Sequence, residues 1–390
     1  MKILFTISSS FNPNAGGVQR TTFKLGKYFT EQGLKVAYFS MANKGHVSVG
    51  HGILFHSNEI GGADNTNNLI KLKKVLNDFR PDFVINQMPY LKPLRETLFQ
   101  FKSVFNYILL GCLRNSLFNF KNNVRDRTQQ MMPATIFRIL DNPIGLNLVK
   151  KRHVIRHRKD LKAIIDQHDK FILLAPPNRD EMQYFVGDYK KEKILSIPNS
   201  IPEVLKVPEI KNKTILHVGR LNIQQKRSDL LLKVWDKVYE KLPDWEFIIV
   251  GDGPYMESIE TKIKDNLIPR VTMAGYQEPE TFYKKAPIFM MPSAYEGFPN
   301  TLIEAQSYGC IPFAFDSYSA LSWIVNDNQD AFLSPAFDVN DMAQKIVSLA
   351  LDGLKTQKMQ QVVINNAKRF TINDVGKIWL SLFEDLKVRT

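Results

Sequence analysis

Apolar residues return along this chain in two rhythms. Short unbroken runs alternate with longer stretches in which an apolar position recurs every third or fourth residue. In the first half the runs predict strands at Lys2–Ser8, Lys35–Ser40, Phe83–Asn86, Val104–Leu109 and Lys170–Leu174, with helical periodicity over Val18–Glu31 and Leu69–Phe79. From Phe120 to Gln167 the pattern turns helical and basic. A second series starts at Thr214, with strands at Thr214–Val218, Glu246–Val250, Val271–Ala274, Ile288–Met291 and Ile311–Phe315. Helices are predicted at Asp229–Leu242, Tyr255–Lys264 and Thr301–Tyr308. Strand–helix alternation predicts an α/β fold class with parallel sheets covered on both faces. In Pro198-Asn199-Ser200-Ile201-Pro202 two prolines interrupt helix and sheet alike, which divides the chain into domains 1–198 and 203–372. Two doubly wound, Rossmann-like domains would turn their strand carboxyl ends, where ligands bind, toward a common cleft.

A length of 390 residues suits two such domains. With 44% apolar and 23% charged residues, ordinary globular values, disorder is not expected. Cys112 and Cys310 are too few and too far apart for a disulfide scaffold or a metal cluster, and they fit a reducing compartment. Ile3 to Ile7 is too short for a signal core, and Val104–Leu113 falls short of the ~20 apolar residues of a membrane span. The expected location is the cytoplasm, at most peripheral at the inner face of the plasma membrane. A net charge of +13, partly concentrated in 150–159 (Lys150 to Lys159), calls for an anionic partner or a solvated helix face. Aromatic residues do not interleave with that run and no nucleic-acid module is found. An anionic membrane surface or a phosphate is therefore the better partner, and nucleic acid is not expected.

Three segments carry chemistry. Glu296-Gly297-Phe298-Pro299-Asn300-Thr301-Leu302-Ile303-Glu304 follows a predicted strand and opens a helix with Asn300 as N-cap. Glu304 lies one turn inside, leaning back toward the N-terminus, and free N–H groups of residues 300–303 would suit a phosphate. Two glutamates at this spacing are common by themselves, and a helix-capping role is the ordinary reading. Gly297 and Pro299, by shaping the turn, favour a site. His217-Val218-Gly219-Arg220-Leu221, followed by Lys226, puts two cations after a strand, suited to a diphosphate leaving group. Ala15-Gly16-Gly17-Val18-Gln19-Arg20 lets a helix N-terminus approach a ligand closely. Val250-Gly251-Asp252-Gly253-Pro254 reads as a tight turn. His153 and His157, four apart among cations, read as a basic face and not a metal pair.

In this order and on these elements, the segments resemble the retaining GT-B glycosyltransferases of family four, the glycogen-synthase-like glycosyl transferases group one. The resemblance implies an acceptor-side domain at 1–198 and a nucleotide-sugar-binding domain at 203–372, with a closing helix at about 373–390 packing back on the first. It implies that Arg220 and Lys226 hold the donor diphosphate, and that Glu304 accepts from the ribose hydroxyls. Glu296 would act as the catalytic contact to the transferred sugar, with Gly297, Phe298, Pro299, Asn300 and Thr301 lining the donor and Gly16 and Gly17 closing on it. No metal or other cofactor is implied, since the nucleotide sugar, UDP-linked as first choice, is itself a substrate. The acceptor would be a glycan or lipid-linked molecule in surface polysaccharide, lipopolysaccharide, capsule or glycolipid assembly. The sequence departs from the family in three places. The first-domain histidine is missing near Leu110-Gly111, Arg227 stands where glycine usually follows the lysine, and Ser319-Ala320 replaces a glycine-rich turn. A nucleotide-sugar epimerase on the same fold, or a non-catalytic nucleotide-sugar-binding protein, are the alternatives.

Overall fold

The computed structural model describes residues 1–7, 11–13, 16–41, 49–57, 65–203 and 211–388. Ser8 and Ala15 of the segments above, and residues 389–390 of the closing helix, lie outside them. The chain forms two compact units. Unit 1 comprises Met1–Leu117, Asn142–Ser200 and Ile372–Thr390; unit 2 comprises Phe118–Asp141 and Ile201–Thr371. The division expected from sequence puts Phe118–Asp141 within 1–198, yet the segment belongs with unit 2, where Asn122 Nδ2 donates to Ser317 O at 3.2 Å.

Each unit is built on one parallel sheet. In unit 1 the strands are β1 (Lys2–Ile7), β2 (Lys35–Ser40), β3 (Ile53–His56), β4 (Phe83–Asn86), β5 (Ile108–Cys112), β6 (Lys170–Leu173) and β7 (Ile194–Ser196), in the order 3-2-1-4-5-6-7. Unit 2 holds β8 (Thr214–Val218), β9 (Glu246–Val250), β10 (Val271–Gly275), β11 (Ile288–Met291), β12 (Ile311–Asp316) and β13 (Phe332–Pro335), in the order 10-9-8-11-12-13. Both are doubly wound. The strand order reverses between β1 and β4 in the first sheet and between β8 and β11 in the second, and such reversal points are where ligands bind in this architecture.

Burial on both faces explains the unbroken apolar strands. Ile3 and Phe5 enter one core of unit 1 with Phe29, Phe83, Trp379 and Phe383, while Leu4, Val84 and Leu109 enter the other with Leu72, Leu76 and Leu98. The helix Ile372–Val388 joins the first of these cores. Gly376 lets it seat against Tyr28, where a Cβ would come within 2.2 Å of the ring, and Phe383 meets Phe83 at 4.6 Å between centroids. In unit 2, Trp235, Phe247, Ile288, Phe313 and Phe332 centre one core between sheet and helices.

Two elements differ most from the pattern-based expectation. Val104 and Phe105 end the helix Lys92–Phe105, Asn106 closes it in the left-handed conformation (φ 50°), and the strand begins only at Ile108. The helix expected at Asp229–Leu242 is a 3₁₀ turn, Ser228–Leu230, followed by the short helix Leu231–Asp236. Among the described residues, no helix is long and apolar enough to cross a membrane.

Candidate active site

The reversal point of the second sheet gathers two of the three segments. The loop after β8 carries Gly219, Arg220 and Lys226, and the loop after β11 carries Glu296 to Pro299. Asn222 folds the first loop back on itself: its Oδ1 accepts from the N–H groups of Gln225 and Lys226 at 2.9 and 3.0 Å. Ala294 N–H then donates to Gln225 O at 2.7 Å and ties the two loops together. Through this latch Lys226 Nζ donates to Glu296 Oε1 at 2.6 Å, and Gln225 Nε2 donates to Glu296 Oε2 at 3.1 Å. The ion pair is withdrawn from solvent, with side chains 14% and 7% exposed.

Backbone packing fixes the floor of this loop. Gly219 N–H donates to Val250 O and Leu221 N–H to Asp252 O, so the turn after β9 lies directly against the chain after β8. A Cβ on Gly251 would stand 1.9 Å from Gly219 O, and one on Gly253 2.3 Å from Leu221 O. The 250–254 segment is thus a backbone support, and Asp252 serves the turn, its Oδ1 accepting from Gly253 N–H at 2.5 Å.

Beneath Lys226 lies His217 on β8. Its Nδ1 pairs with Met290 O on β11 at 2.9 Å, linking the two strands of the reversal point. Burial lowers its pKa to about 4, and the Lys226 cation adds to the shift, so the ring is neutral. Its Nε2, the hydroxyls of Ser293 and Thr301, and the Tyr318 hydroxyl are buried without a protein partner. Ser317 Oγ donates to Ser293 O at 2.7 Å, which brings Tyr318 beside the Glu296 loop. Burial first, then the Glu296 and Asp316 carboxylates, raise the Tyr318 pKa well above the usual phenol range.

Not every expected residue joins the pair. Arg220 projects into solvent and makes no hydrogen bond or ion pair among the described residues. Glu304 is buried on the helix Asn300–Ser307, one turn in, where the sequence placed it. Asn300 is not the N-cap. Pro299 holds that position and Asn300 is the first helical residue. Nor are the N–H groups of 300–303 free as a set: Asn300 donates to Phe298 O, and Leu302 and Ile303 donate to Pro299 O. Gly297 and Phe298 are buried, Phe298 resting edge-on against Phe370 at 5.5 Å. Gly16 and Gly17 begin the helix Gly17–Glu31 of unit 1, where Arg20 N–H donates to Gly16 O.

The departures acquire physical reasons. Arg227 sits at φ 48°, the left-handed region that favours glycine, and is held there by two 3.0 Å bonds to Asp229 and by the Phe337 ring, 4.5 Å from its guanidinium. Any side chain at 111 would strike His168, whose ring lies 2.7 Å from the Cβ position. His168 fills that space as a buried, neutral residue with a pKa near 4, driven down by burial. Sequence reasoning missed Gln225, and it missed Arg127, whose Nη2 donates to the Tyr295 hydroxyl at 2.9 Å next to Glu296. No local signal marks residues 168 positions apart as partners.

Comparison with known proteins agrees with this geometry. Residues 212–352, which carry the loops after β8 and β11, match the family model described as Glycosyl transferases group 1. An uncharacterized glycosyltransferase of Haemophilus influenzae is 26% identical over 341 residues, covering 85% of this chain and 86% of that protein. The poly(ribitol-phosphate) alpha-N-acetylglucosaminyltransferase of Staphylococcus aureus is 28% identical across 58% of this chain, which spans only 46% of that protein. Among solved structures, TarM superposes with a TM-score of 0.74 at 16% identity, over 98% of both chains. Anabaena HepE in complex with UDP and glucose superposes at 0.73 and 14%, over 99% of this chain and all of that one. The two doubly wound units have the fold of the GT-B glycosyltransferases, residues 212–352 form a glycosyl transferases group 1 domain, and the chain is a transferase enzyme.

Proposed function

We propose that this enzyme moves a hexose or N-acetylhexosamine from a nucleotide diphosphate sugar to a glycan or lipid-linked acceptor in surface-glycan assembly, with retention at the anomeric carbon. The observation that carries the reading is the desolvated Lys226–Glu296 pair at the reversal point of the second sheet. Each charge satisfies the other. A diphosphate arriving beside Lys226 takes over the cation and releases Glu296 to the sugar hydroxyls. In the step itself the bond from the anomeric carbon to the diphosphate breaks, and its electron pair leaves with the phosphate. The acceptor oxygen forms the new bond on the same face, and its proton passes to the departing phosphate oxygen. Lys226 and the exposed Arg220 stabilise the growing negative charge, and Glu296 stabilises the oxocarbenium-like carbon.

Relatives support the acceptor class. The Staphylococcus protein is named for a polyol-phosphate acceptor, and a Campylobacter jejuni relative, 26% identical over 182 residues, for an undecaprenol-linked glycan. UDP is the first choice of nucleotide, as HepE binds UDP in a matching fold. Metal is not required in this reading, so transfer should persist in excess chelator. The helix Pro143–Gln167 supports a seat on an anionic bilayer at the inner membrane face. Ile144, Leu148 and Ile155 face outward on one side, 83%, 62% and 70% exposed, beside the exposed Lys151, Arg152, Arg156 and Lys159.

Titration calorimetry with UDP, GDP and ADP, repeated on Arg220→Ala, tests the donor site. One diphosphate should bind, and its affinity should collapse in the variant. If none of the three binds, the donor reading fails.

A further inference from the structure

The carboxyl edge of the first sheet holds a cation that no carboxylate neutralises. Arg114, two residues beyond β5, donates through Nε to Gln87 Oε1 at 2.7 Å and through Nη1 to Asn199 Oδ1 at 2.9 Å. Both partners are neutral amides. Its third nitrogen, Nη2, is buried and has no protein partner. Gln87 is fully buried, and because its oxygen is committed to Arg114, its own Nε2 is left as a second donor without an acceptor. Thr6 on β1, whose carbonyl accepts from Gln87 N–H at 3.1 Å, contributes a third buried polar atom of the same kind in its hydroxyl. Glu181, which follows β6 at this edge, is occupied elsewhere: it accepts from Ser116 Oγ, Leu117 N–H and Asn178 Nδ2.

Thr6 and Gln87 belong to β1 and to the residue after β4, the strands between which the order of the first sheet reverses. A guanidinium held partly out of water, without a counter-charge, is costly, and burial lowers its pKa accordingly. Stranded donors shielded from bulk solvent need an acceptor that enters and stays.

We propose that Arg114 and Gln87 form an anion subsite of unit 1 that takes a phosphoryl group of the acceptor substrate. The guanidinium edge and the amide supply a fork of donors from the loops after β5 and β4, and a tetrahedral phosphoryl group offers an oxygen to each. Assigning the phosphate to the acceptor rests on the transferase reading above; the binding of phosphate does not. A phosphate-bearing acceptor is anchored by this subsite while its hydroxyl reacts elsewhere in the molecule.

Calorimetry with glycerol 3-phosphate, with glycerol as control and UDP as the second arm, tests this on the full chain. Glycerol 3-phosphate should bind the wild type and glycerol should not. Arg114→Gln should weaken that binding about tenfold or more while leaving UDP affinity within about twofold. Because Arg114→Gln could disturb folding, Gln87→Glu is the second variant. It sets a carboxylate against the guanidinium, so it should abolish glycerol 3-phosphate binding without lowering the thermal midpoint. Three results would overturn the proposal: no glycerol 3-phosphate binding to the wild type, unchanged affinity in both variants, or a parallel loss of UDP. The last would make Arg114 a donor-diphosphate ligand. Failure of UDP to bind at all, with glycerol 3-phosphate binding intact, would sink the donor reading and leave the subsite standing.

Discussion

A double-mutant cycle on Lys226 and Glu296 tests whether the site is held by their mutual charge. Unit charges about 4 Å apart at an effective dielectric near 20 attract by about 4 kcal/mol. Withdrawing both from water offsets much of that, so the pair adds little net stability. Stranding one partner is different. Lys226→Met leaves a carboxylate that is 7% exposed with only the Gln225 amide at 3.1 Å, and Glu296→Gln leaves an ammonium 14% exposed. Each single change should cost about 3 kcal/mol, and the double change clearly less than the sum, giving a coupling of about 2–3 kcal/mol. Urea unfolding followed by tryptophan fluorescence suits the assay, since Trp235, Trp245 and Trp323 lie in unit 2. A Trp379→Phe background removes the one tryptophan of unit 1. Repeating the cycle in saturating UDP should shrink the coupling as the diphosphate claims Lys226. Additivity within about 0.5 kcal/mol without ligand would refute the argument.

Three further outcomes follow from the geometry. Gly251→Ala drives a methyl into the Gly219 carbonyl at φ 141°, which should cost about 2–4 kcal/mol and weaken UDP binding. Gly353→Ala, at an ordinary φ with nothing within 4 Å, should leave stability within about 1 kcal/mol; equal thermal shifts for the two would count against the backbone-docking account. His217 and His168 have folded pKa values near 4, below the unfolded value of about 6.5. Protons therefore bind the unfolded chain first: stability is complete above about pH 6.5 and declines as pH falls toward 4, by about 2 kcal/mol per histidine at pH 5. His217→Gln should flatten that slope in pH-dependent denaturation, and an unchanged slope would show that the ring is not held neutral. Charge reversal at Lys151, Arg152 and Arg156 should abolish salt-sensitive binding to anionic vesicles in a flotation assay. Leu148→Ser with Ile155→Ser should weaken it at every salt concentration, whereas equal binding to neutral vesicles would exclude the electrostatic part. Arg158 is a poorer choice, because its Nε is engaged by Phe185 O at 2.7 Å.

Much of this architecture is legible in the sequence where strands are buried on both faces. Thr214–Val218, Glu246–Val250 and Ile288–Met291 end where the pattern ends them, because each is an apolar run followed by glycine or proline. The missed strands, β3, β7 and β13, are short and lie at or next to sheet edges, where partial exposure dilutes the apolar signal. At Phe105 a helix ends and at Ile108 a strand starts, with apolar residues on both sides and the left-handed turn at Asn106 between them. For the candidate site, the glycine ending one strand and the Gly-x-Pro turn after another marked the two loops. They could not reveal that Lys226 and Glu296 touch across 70 residues, or that Gln225 supplies the second bond. Cap preferences favour Asn300, yet Pro299 takes the cap position, its carbonyl accepting from Leu302 and Ile303 N–H.

The way the chain passes from one unit to the other four times, after residues 117, 141, 200 and 371, constrains the order in which a ribosome can deliver it. Unit 2 has all its parts once residue 371 emerges. Unit 1 does not, because Trp379 and Phe383 arrive last and close a core begun by Ile3, Phe29 and Phe83. At usual elongation rates the first sheet waits roughly 10–30 s while the second unit is made. Through that interval the faces of Tyr28, Phe29 and Phe83 meant for the final helix stand open to wrong partners. Truncation before residue 372 should therefore yield a nascent chain that chaperones retain, with an intact second unit beside a first unit that cannot seal.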